Sequence, residues 1–152
     1  MGQQQLLLLV LGIVIVGLAV VAGIQAFAEN QRKANADGLE MTSIRLAVQA
    51  QAWLRSPIMW GGGMPVVGDR PADFTGLTLD FDILGYPVNA SNEYVDLHGT
   101  YFGEVDGANF VITATSLNTS GAGDNNVICV TVSGANIDDI TTTLNPAGAS
   151  CT

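Results

Sequence analysis

Residues 6–24 read LLLLVLGIVIVGLAVVAGI, an uncharged run of nineteen residues that begins close to Met1. The first ionised side chain is Glu29. About 20 apolar residues at 1.5 Å each span the ~30 Å hydrocarbon core of a bilayer, so the run predicts a membrane-spanning helix. The preceding MGQQQ has no Lys or Arg, whereas a secretory signal peptide has a basic start and a shorter apolar region. We therefore expect this segment to be retained rather than cleaved off.

Helical character extends beyond the apolar run. From residue 28 to residue 55 the chain has no proline and one glycine, Gly38. Two sets of apolar residues recur there at helical spacing: Met41, Ile44, Val48 and Ala52, and Leu39, Leu46 and Trp53. Ser56-Pro57 ends the pattern, because the residue before a proline is disfavoured in the α region. The sequence predicts one helix of about 53 residues, hydrophobic over residues 1–28 and amphipathic over residues 29–56.

Residues 57–152 predict a β-rich head. Residues 57–76 form a connector rich in glycine and proline, with a flexible hinge at residues 61–63. Alternating apolar and polar residues predict a half-buried strand over residues 77–83, and further strands are predicted at residues 100–105, 109–116 and 127–133. Asp106-Gly107 is a hairpin signal between two of them. The expected fold class is α+β, with the long N-terminal α-helix packed through its amphipathic half on a small antiparallel β-sheet of three or four strands.

Charge is distributed unevenly along the chain, whose net charge is −9. Residues 1–55 hold four basic and three acidic residues, whereas residues 56–152 hold one basic and eleven acidic residues, a net charge of −10. A head this acidic has no basic patch to attract a phosphate backbone. We therefore expect no direct nucleic-acid binding.

Side chains suited to catalysis are scarce. The only histidine is His98, interpreted as a polar turn residue, and the only lysine is Lys33, so neither a His-rich metal cluster nor a P-loop can be built. Three acidic pairs could ligate a hard cation, but they lack the spacing of a calcium loop and are interpreted as solvated turns and strand faces: Asp80/Asp82, Glu93/Asp96 and Asp138/Asp139. We expect no enzymatic activity, no metal site and no cofactor.

The head contains two cysteines and two N-glycosylation patterns. Cys129 lies in the apolar run VICVTV and Cys151 is the penultimate residue. They either form a disulfide that ties the tail to a strand, or they remain a buried thiol and a terminal thiol; an extracytoplasmic head favours the disulfide. Asn89 and Asn118 each begin an N-x-[ST] pattern and are possible glycosylation sites.

The order of these segments resembles the type IV pilin family: hydrophobic helix, amphipathic continuation, connector, antiparallel sheet and C-terminal cysteine loop. The sequence-specific part of the resemblance covers about the first 25 residues. It implies that a prepilin peptidase removes a short basic leader and exposes a methylated residue 1, here Met1. It further implies that the Cys129–Cys151 loop is the family's disulfide-bounded region.

The resemblance also implies a partner and a location. Such subunits are inserted in the inner membrane as single-pass proteins, and pilus assembly machinery then polymerises them into an extracellular filament (a pilus or fimbrium) at the cell surface. The helices form the filament core and the heads form its outer surface. The residues expected to assemble that core here are Met1, Gln5, Leu8, Gly12, Val14, Gly17 and Gly23.

This chain departs from the family at two positions. The family usually carries a glutamate at position 5, thought to pair with a neighbour's N-terminal amine, whereas Gln5 can accept a hydrogen bond but cannot neutralise a charge. The family also often has a helix-breaking proline near position 22, where this chain has only nearby glycines. Met1 is therefore either a processed first residue or the initiator of an unprocessed chain.

Three functions follow as hypotheses. The first is a homopolymeric subunit of an extracellular filament, with an acidic surface suited to solubility, glycan attachment or cell adhesion. The second is a pseudopilin or minor pilin of a secretion or DNA-uptake machine. The third is a monomeric, membrane-anchored domain that binds a ligand or partner.

Overall fold

The chain forms one long helix followed by a five-stranded sheet in the computed structural model, which describes residues 2–63, 73–119, 125–145 and 151. It divides into two compact units, Met1–Ala34 and Asn35–Thr152. The elements are α1 (Gly2–Arg55), β1 (Glu93–Val95), β2 (Gly99–Asp106), β3 (Asn109–Thr119), β4 (Asn125–Val132) and β5 (Ile140–Asn145), with two 3₁₀ helices at Ile58–Trp60 and Ile137–Asp139. The α+β fold class predicted from the sequence is confirmed.

Helix α1 ends where the sequence predicts, at the residue before Ser56-Pro57. The chain then turns sharply: the backbone N–H of Gly62 donates to the Pro57 carbonyl at 3.1 Å and that of Gly63 to the Trp53 carbonyl at 3.1 Å. A Cβ atom on Gly62 would collide with the Ser56 carbonyl, and one on Gly63 would lie 2.7 Å from the Trp53 ring. The prediction of a flexible hinge at residues 61–63 is therefore wrong. These glycines allow a close-packed turn.

The sheet is an antiparallel meander in the order β1-β2-β3-β4-β5. The three predicted strands that became β2, β3 and β4 are confirmed, each somewhat longer than expected. The hairpin signal is confirmed as well: Asp106 pairs with Asn109, and Gly107 has a φ of 60°, in the left-handed region that glycine tolerates.

The strand predicted over residues 77–83 is wrong, because this stretch forms irregular chain and turns. Its aspartates serve local turns: the Asp80 carboxylate accepts the Ile83 N–H at 3.0 Å, and the Asp82 carbonyl accepts the Gly85 N–H at 2.9 Å. Side chains of this type compete with sheet ladders by bonding to nearby backbone. Phe81 is nevertheless buried, so the apolar residues still serve the core.

The core lies between the sheet and one face of α1 within the unit Asn35–Thr152. The helix contributes Leu39, Leu46, Ala47, Ala50 and Leu54, and the sheet contributes Tyr101, Phe110, Ile112, Ala114, Ile128, Val130 and Val132. Burial raises the pKa of the Tyr101 hydroxyl, and the adjacent Thr42 side chain opposes that shift. The amphipathic half of the helix therefore covers the apolar face of the sheet, as predicted.

Polar contacts fix the helix on the sheet. The Asn35 amide donates to the Ser116 hydroxyl at 2.6 Å. The Gln51 amide donates to the carbonyl of Gly134 at 2.9 Å, in the loop after β4. A Cβ atom on Gly38 would lie 2.6 Å from the His98 ring, so Gly38 allows a close approach there. His98 does lie in the bend before β2, but it is half-buried against the helix.

Candidate assembly surfaces

The first surface is the helix of the unit Met1–Ala34. Residues 2–31 are all exposed within the chain. Within the described residues, this is the one helix long and apolar enough to cross a membrane, and its apolar stretch is not buried. A signal sequence near an N-terminus has the same properties. The segment therefore has an apolar surface that the chain itself does not cover.

The predicted core residues do not share one side of this helix. Gln5, Gly12 and Gly23 are 7 and 11 residues apart, close to whole numbers of turns, so they lie on one face. Leu8 lies on this face too, three residues after Gln5 and four before Gly12. Val14 and Gly17 point to other sides. A Cβ atom on Gly12, Gly17 or Gly23 would meet open space. Met1 lies outside the described residues. Because the helix is apolar on every side, one contact with one partner would not cover it.

The second surface was not predicted from the sequence, in which the apolar positions after residue 38 were expected to form one stripe. Only the set containing Leu39 and Leu46 faces the sheet. Met41, Ile44 and Val48 are exposed, Met41 to 77%, and Ala52 is exposed as well. This half of the helix therefore has two apolar stripes on opposite sides.

The exposed stripe continues onto the turn that follows the helix. Ile58, Met59 and Trp60 of the first 3₁₀ helix are exposed, Trp60 to 85%. A groove connects Ala52 with Trp60, and its other wall includes Ile83 and Leu84. The signal that could have revealed this surface is the surplus of apolar residues, since one face of one helix cannot bury both sets.

The cysteines are joined in a disulfide between Cys129 on β4 and Cys151 near the C-terminus, with 5.4 Å between their Cα atoms. Cys129 alternates along β4 with the core residues Ile128 and Val130, so it lies on the opposite face of the sheet. The bond therefore ties the end of the chain to the face of the sheet that α1 does not cover. Bonds of this kind persist in oxidising compartments.

The two candidate glycosylation sites differ in what the structure describes. The Asn89 side chain is exposed but hydrogen-bonded: its Nδ2 donates to the Glu93 carboxylate at 2.9 Å, and its Oδ1 accepts the Ser91 N–H at 2.8 Å. Modification of Asn89 would therefore displace a local hydrogen bond. Asn118 lies in β3, but its side chain and Ser120 lie outside the described residues.

Several acidic side chains stabilise local turns. The Asp139 carboxylate accepts the Asn136 N–H at 2.7 Å and caps the second 3₁₀ helix. A hydrogen bond from the Thr75 backbone lowers the pKa of Asp73. In the part of the chain that the structure describes, no three His, Cys, Asp or Glu side chains are grouped as a metal site would require. Comparison with family models, curated proteins and solved structures finds no match to this chain.

Proposed function

We propose that the chain is a structural subunit of an extracellular, type IV pilus-like filament that polymerises through its N-terminal helix. The observation that carries the proposal is the exposure of residues 2–31 on all sides, in the same helix that covers the sheet of the head. Burying one Leu, Ile or Val side chain is worth roughly 1.5–3 kcal/mol. A helix with this many exposed apolar side chains requires a lipid or protein environment.

A filament core and a bilayer both supply that environment. Lipid tails are as apolar as leucine, so helices that leave lipid for a bundle gain close packing and interhelical hydrogen bonds. The open space beside Gly12, Gly17 and Gly23 permits close packing. Gln5 adds an amide that can bond across helices without introducing a charge. These features support a segment that is stable in the membrane and also able to assemble with copies of itself.

The arrangement of the chain favours a polymer over a closed oligomer. A helix that is apolar on every side can contact several neighbours through different faces, and such heterologous contacts generate helical filaments when they do not close. The compact head and its disulfide suit the outside of such a filament, where conditions are oxidising. The proposal includes a prepilin peptidase and an assembly machine as partners, on the resemblance alone.

Aspartate substitutions in the helix test the proposal in the native cell. Leu8→Asp and Val14→Asp should abolish filaments in sheared surface material viewed by electron microscopy, because an aspartate in an apolar helix environment costs roughly 2.5–3.5 kcal/mol. Leu97→Asp is the matched control: Leu97 is 83% exposed on the head, and this variant should form normal filaments.

The outcomes separate the three functions. Normal filaments from Leu8→Asp or Val14→Asp would contradict the proposal. A wild-type chain that stays in membranes as a monomer would indicate an anchored binding domain instead. A wild-type chain found only in traces within filaments made of another subunit would indicate a pseudopilin or minor pilin. Mass spectrometry of the N-terminus tests processing, for which we expect a methylated Met1.

A further inference from the structure

The exposed stripe and the following turn are joined by the groove between Ala52 and Trp60, and we call them together the stripe–turn surface. It consists of Met41, Ile44, Val48 and Ala52 on α1 together with Ile58, Met59 and Trp60. It lies on the side of α1 opposite the sheet, since its helical members alternate with the buried set at helical spacing. Contiguous exposed apolar surface on a folded head marks an interaction site.

The turn that carries Trp60 is fixed by hydrogen bonds. The Trp60 N–H donates to the Pro57 carbonyl at 2.9 Å, and the Gly61 N–H donates to the Ile58 carbonyl at 2.9 Å. The indole of Trp53 donates to the Gly61 carbonyl at 2.6 Å. Gly61 has a φ of 82°, which a residue with a side chain adopts only with strain. Trp60 is thus an exposed aromatic residue on a pre-formed turn, the kind of group that anchors interfaces.

Two cations share this face of the helix. Arg45 follows Met41 by four residues and Arg55 follows Ala52 by three, so both lie along the stripe. Asp37, also exposed, precedes Met41 by four residues and lies at the N-terminal end of the same stripe. Both arginines are exposed, and neither forms an ion pair, since the single ion pair within the described residues joins Arg32 and Glu29. The part of the surface from Arg45 to Arg55 therefore combines apolar side chains with positive charge, which suits an occupant that is apolar in part and acidic in part.

We propose that the stripe–turn surface binds the acidic head of a second copy of this chain, with Trp60 as the anchor and Arg45 and Arg55 facing carboxylates of that copy. Residues 56–152 carry a net charge of −10, which complements the two arginines. The apolar run over residues 6–24 has no acidic residue and would leave both arginines unpaired at the contact. This inference rests on the proposed function, because a filament brings heads into contact.

Site-directed photocrosslinking in the native cell tests which partner lies on the surface. A photoreactive amino acid replaces Val48 in one variant and Trp60 in another. Leu97 and Ile137, exposed to 83% and 86% elsewhere on the head, are the control positions. We expect a product of twice the chain mass from positions 48 and 60, with the crosslinked peptide derived from the acidic head of the second copy.

Any other crosslinking result overturns the inference. A crosslink to residues 6–27 of a second copy, to another protein or to lipid would do so, and so would the absence of product from both positions. Wild-type filaments seen by electron microscopy together with such a result would leave the proposed function intact. Absence of wild-type filaments would instead contradict the proposed function.

Charge and side-chain variants test the two parts of the contact separately. Arg45→Glu with Arg55→Glu should lower the yield of sheared filaments about tenfold, equivalent to ~1.4 kcal/mol, whereas Arg45→Lys with Arg55→Lys should keep most of it. Trp60→Ser should lower the yield by a similar factor, whereas Ile137→Ser should not. Equal yields from the glutamate and lysine variants, or from the two serine variants, would contradict the inference.

Discussion

The two halves of helix α1 share one backbone but differ in what covers them. Over residues 2–28 the helix is apolar and exposed on all sides, whereas in the unit Asn35–Thr152 one face is buried against the sheet and the opposite face is exposed. The halves are alike in secondary structure and different in tertiary contacts. The length and apolar content of the segment are enough to predict a helix. Which of its residues stabilise the fold depends on the elements that pack against it.

The same substitution in each half of the helix would test this comparison most strongly. Leu46→Ala should lower the free energy of unfolding of the head by about 2–5 kcal/mol, because Leu46 is fully buried and its removal leaves a cavity. Leu11→Ala should leave that free energy unchanged, because Leu11 is exposed. Denaturant unfolding of detergent-solubilised protein, followed by tryptophan fluorescence, measures both. Equal losses from the two variants would contradict the division into units.

Removal of the disulfide should have a somewhat smaller effect, again confined to the head. The bond closes a loop with a sequence separation of 22 residues, for which the chain-entropy model gives about 3 kcal/mol. The variant with Cys129→Ala and Cys151→Ala should lose about that much free energy of unfolding, and wild-type protein with a reductant should show a similar loss. Circular dichroism should show α1 retained. A large loss of helix would mean that the disulfide also stabilises α1.

The smallest effect is a pH dependence that originates at the contact between α1 and the sheet. Burial raises the pKa of the Tyr101 hydroxyl, so the folded head holds this proton more tightly than the unfolded chain does. Its contribution is fully present below the ordinary tyrosine pKa of about 10 and is lost as the pH rises through the higher pKa of the folded state.

Tyr101→Phe should therefore reduce the fall in the free energy of unfolding above about pH 10, although it can also change the stability at neutral pH. Denaturant titrations of wild type and variant at several pH values measure the slope. An unchanged slope in the variant would show that Tyr101 is not the responsible group.

The sequence predicted those parts of the fold that depend on local chemistry. The end of α1 follows from Ser56-Pro57, and the β2–β3 hairpin follows from Asp106-Gly107, whose glycine adopts a left-handed φ. The exposed apolar helix likewise follows from a local signal, the uncharged run over residues 6–24. In each case the residues that determine the structure are close together in sequence.

Other parts depend on contacts with distant residues. Residues 77–83 alternate as a strand would, yet Asp80 bonds to the Ile83 backbone and Phe81 reaches the core from a turn. Strand β5 contains Thr141, Thr142 and Thr143 with no apolar alternation, and it exists because β4 offers a free edge. The buried stripe of α1 packs on sheet residues far along the chain, and Gly38 and Asn35 on that side of the helix approach His98 and Ser116. Apart from Asp80 and Ile83, which are three residues apart, these partners are distant in sequence.

The meander order of the sheet has a consequence for how the head folds. Each strand pairs with the strand next to it in sequence, so the ladders have low contact order and should form quickly. The closure of α1 onto the sheet joins residues such as Asn35 and Ser116, which are 81 positions apart. We expect the strands to assemble first, the helix to dock next, and the Cys129–Cys151 bond to form once β4 is paired.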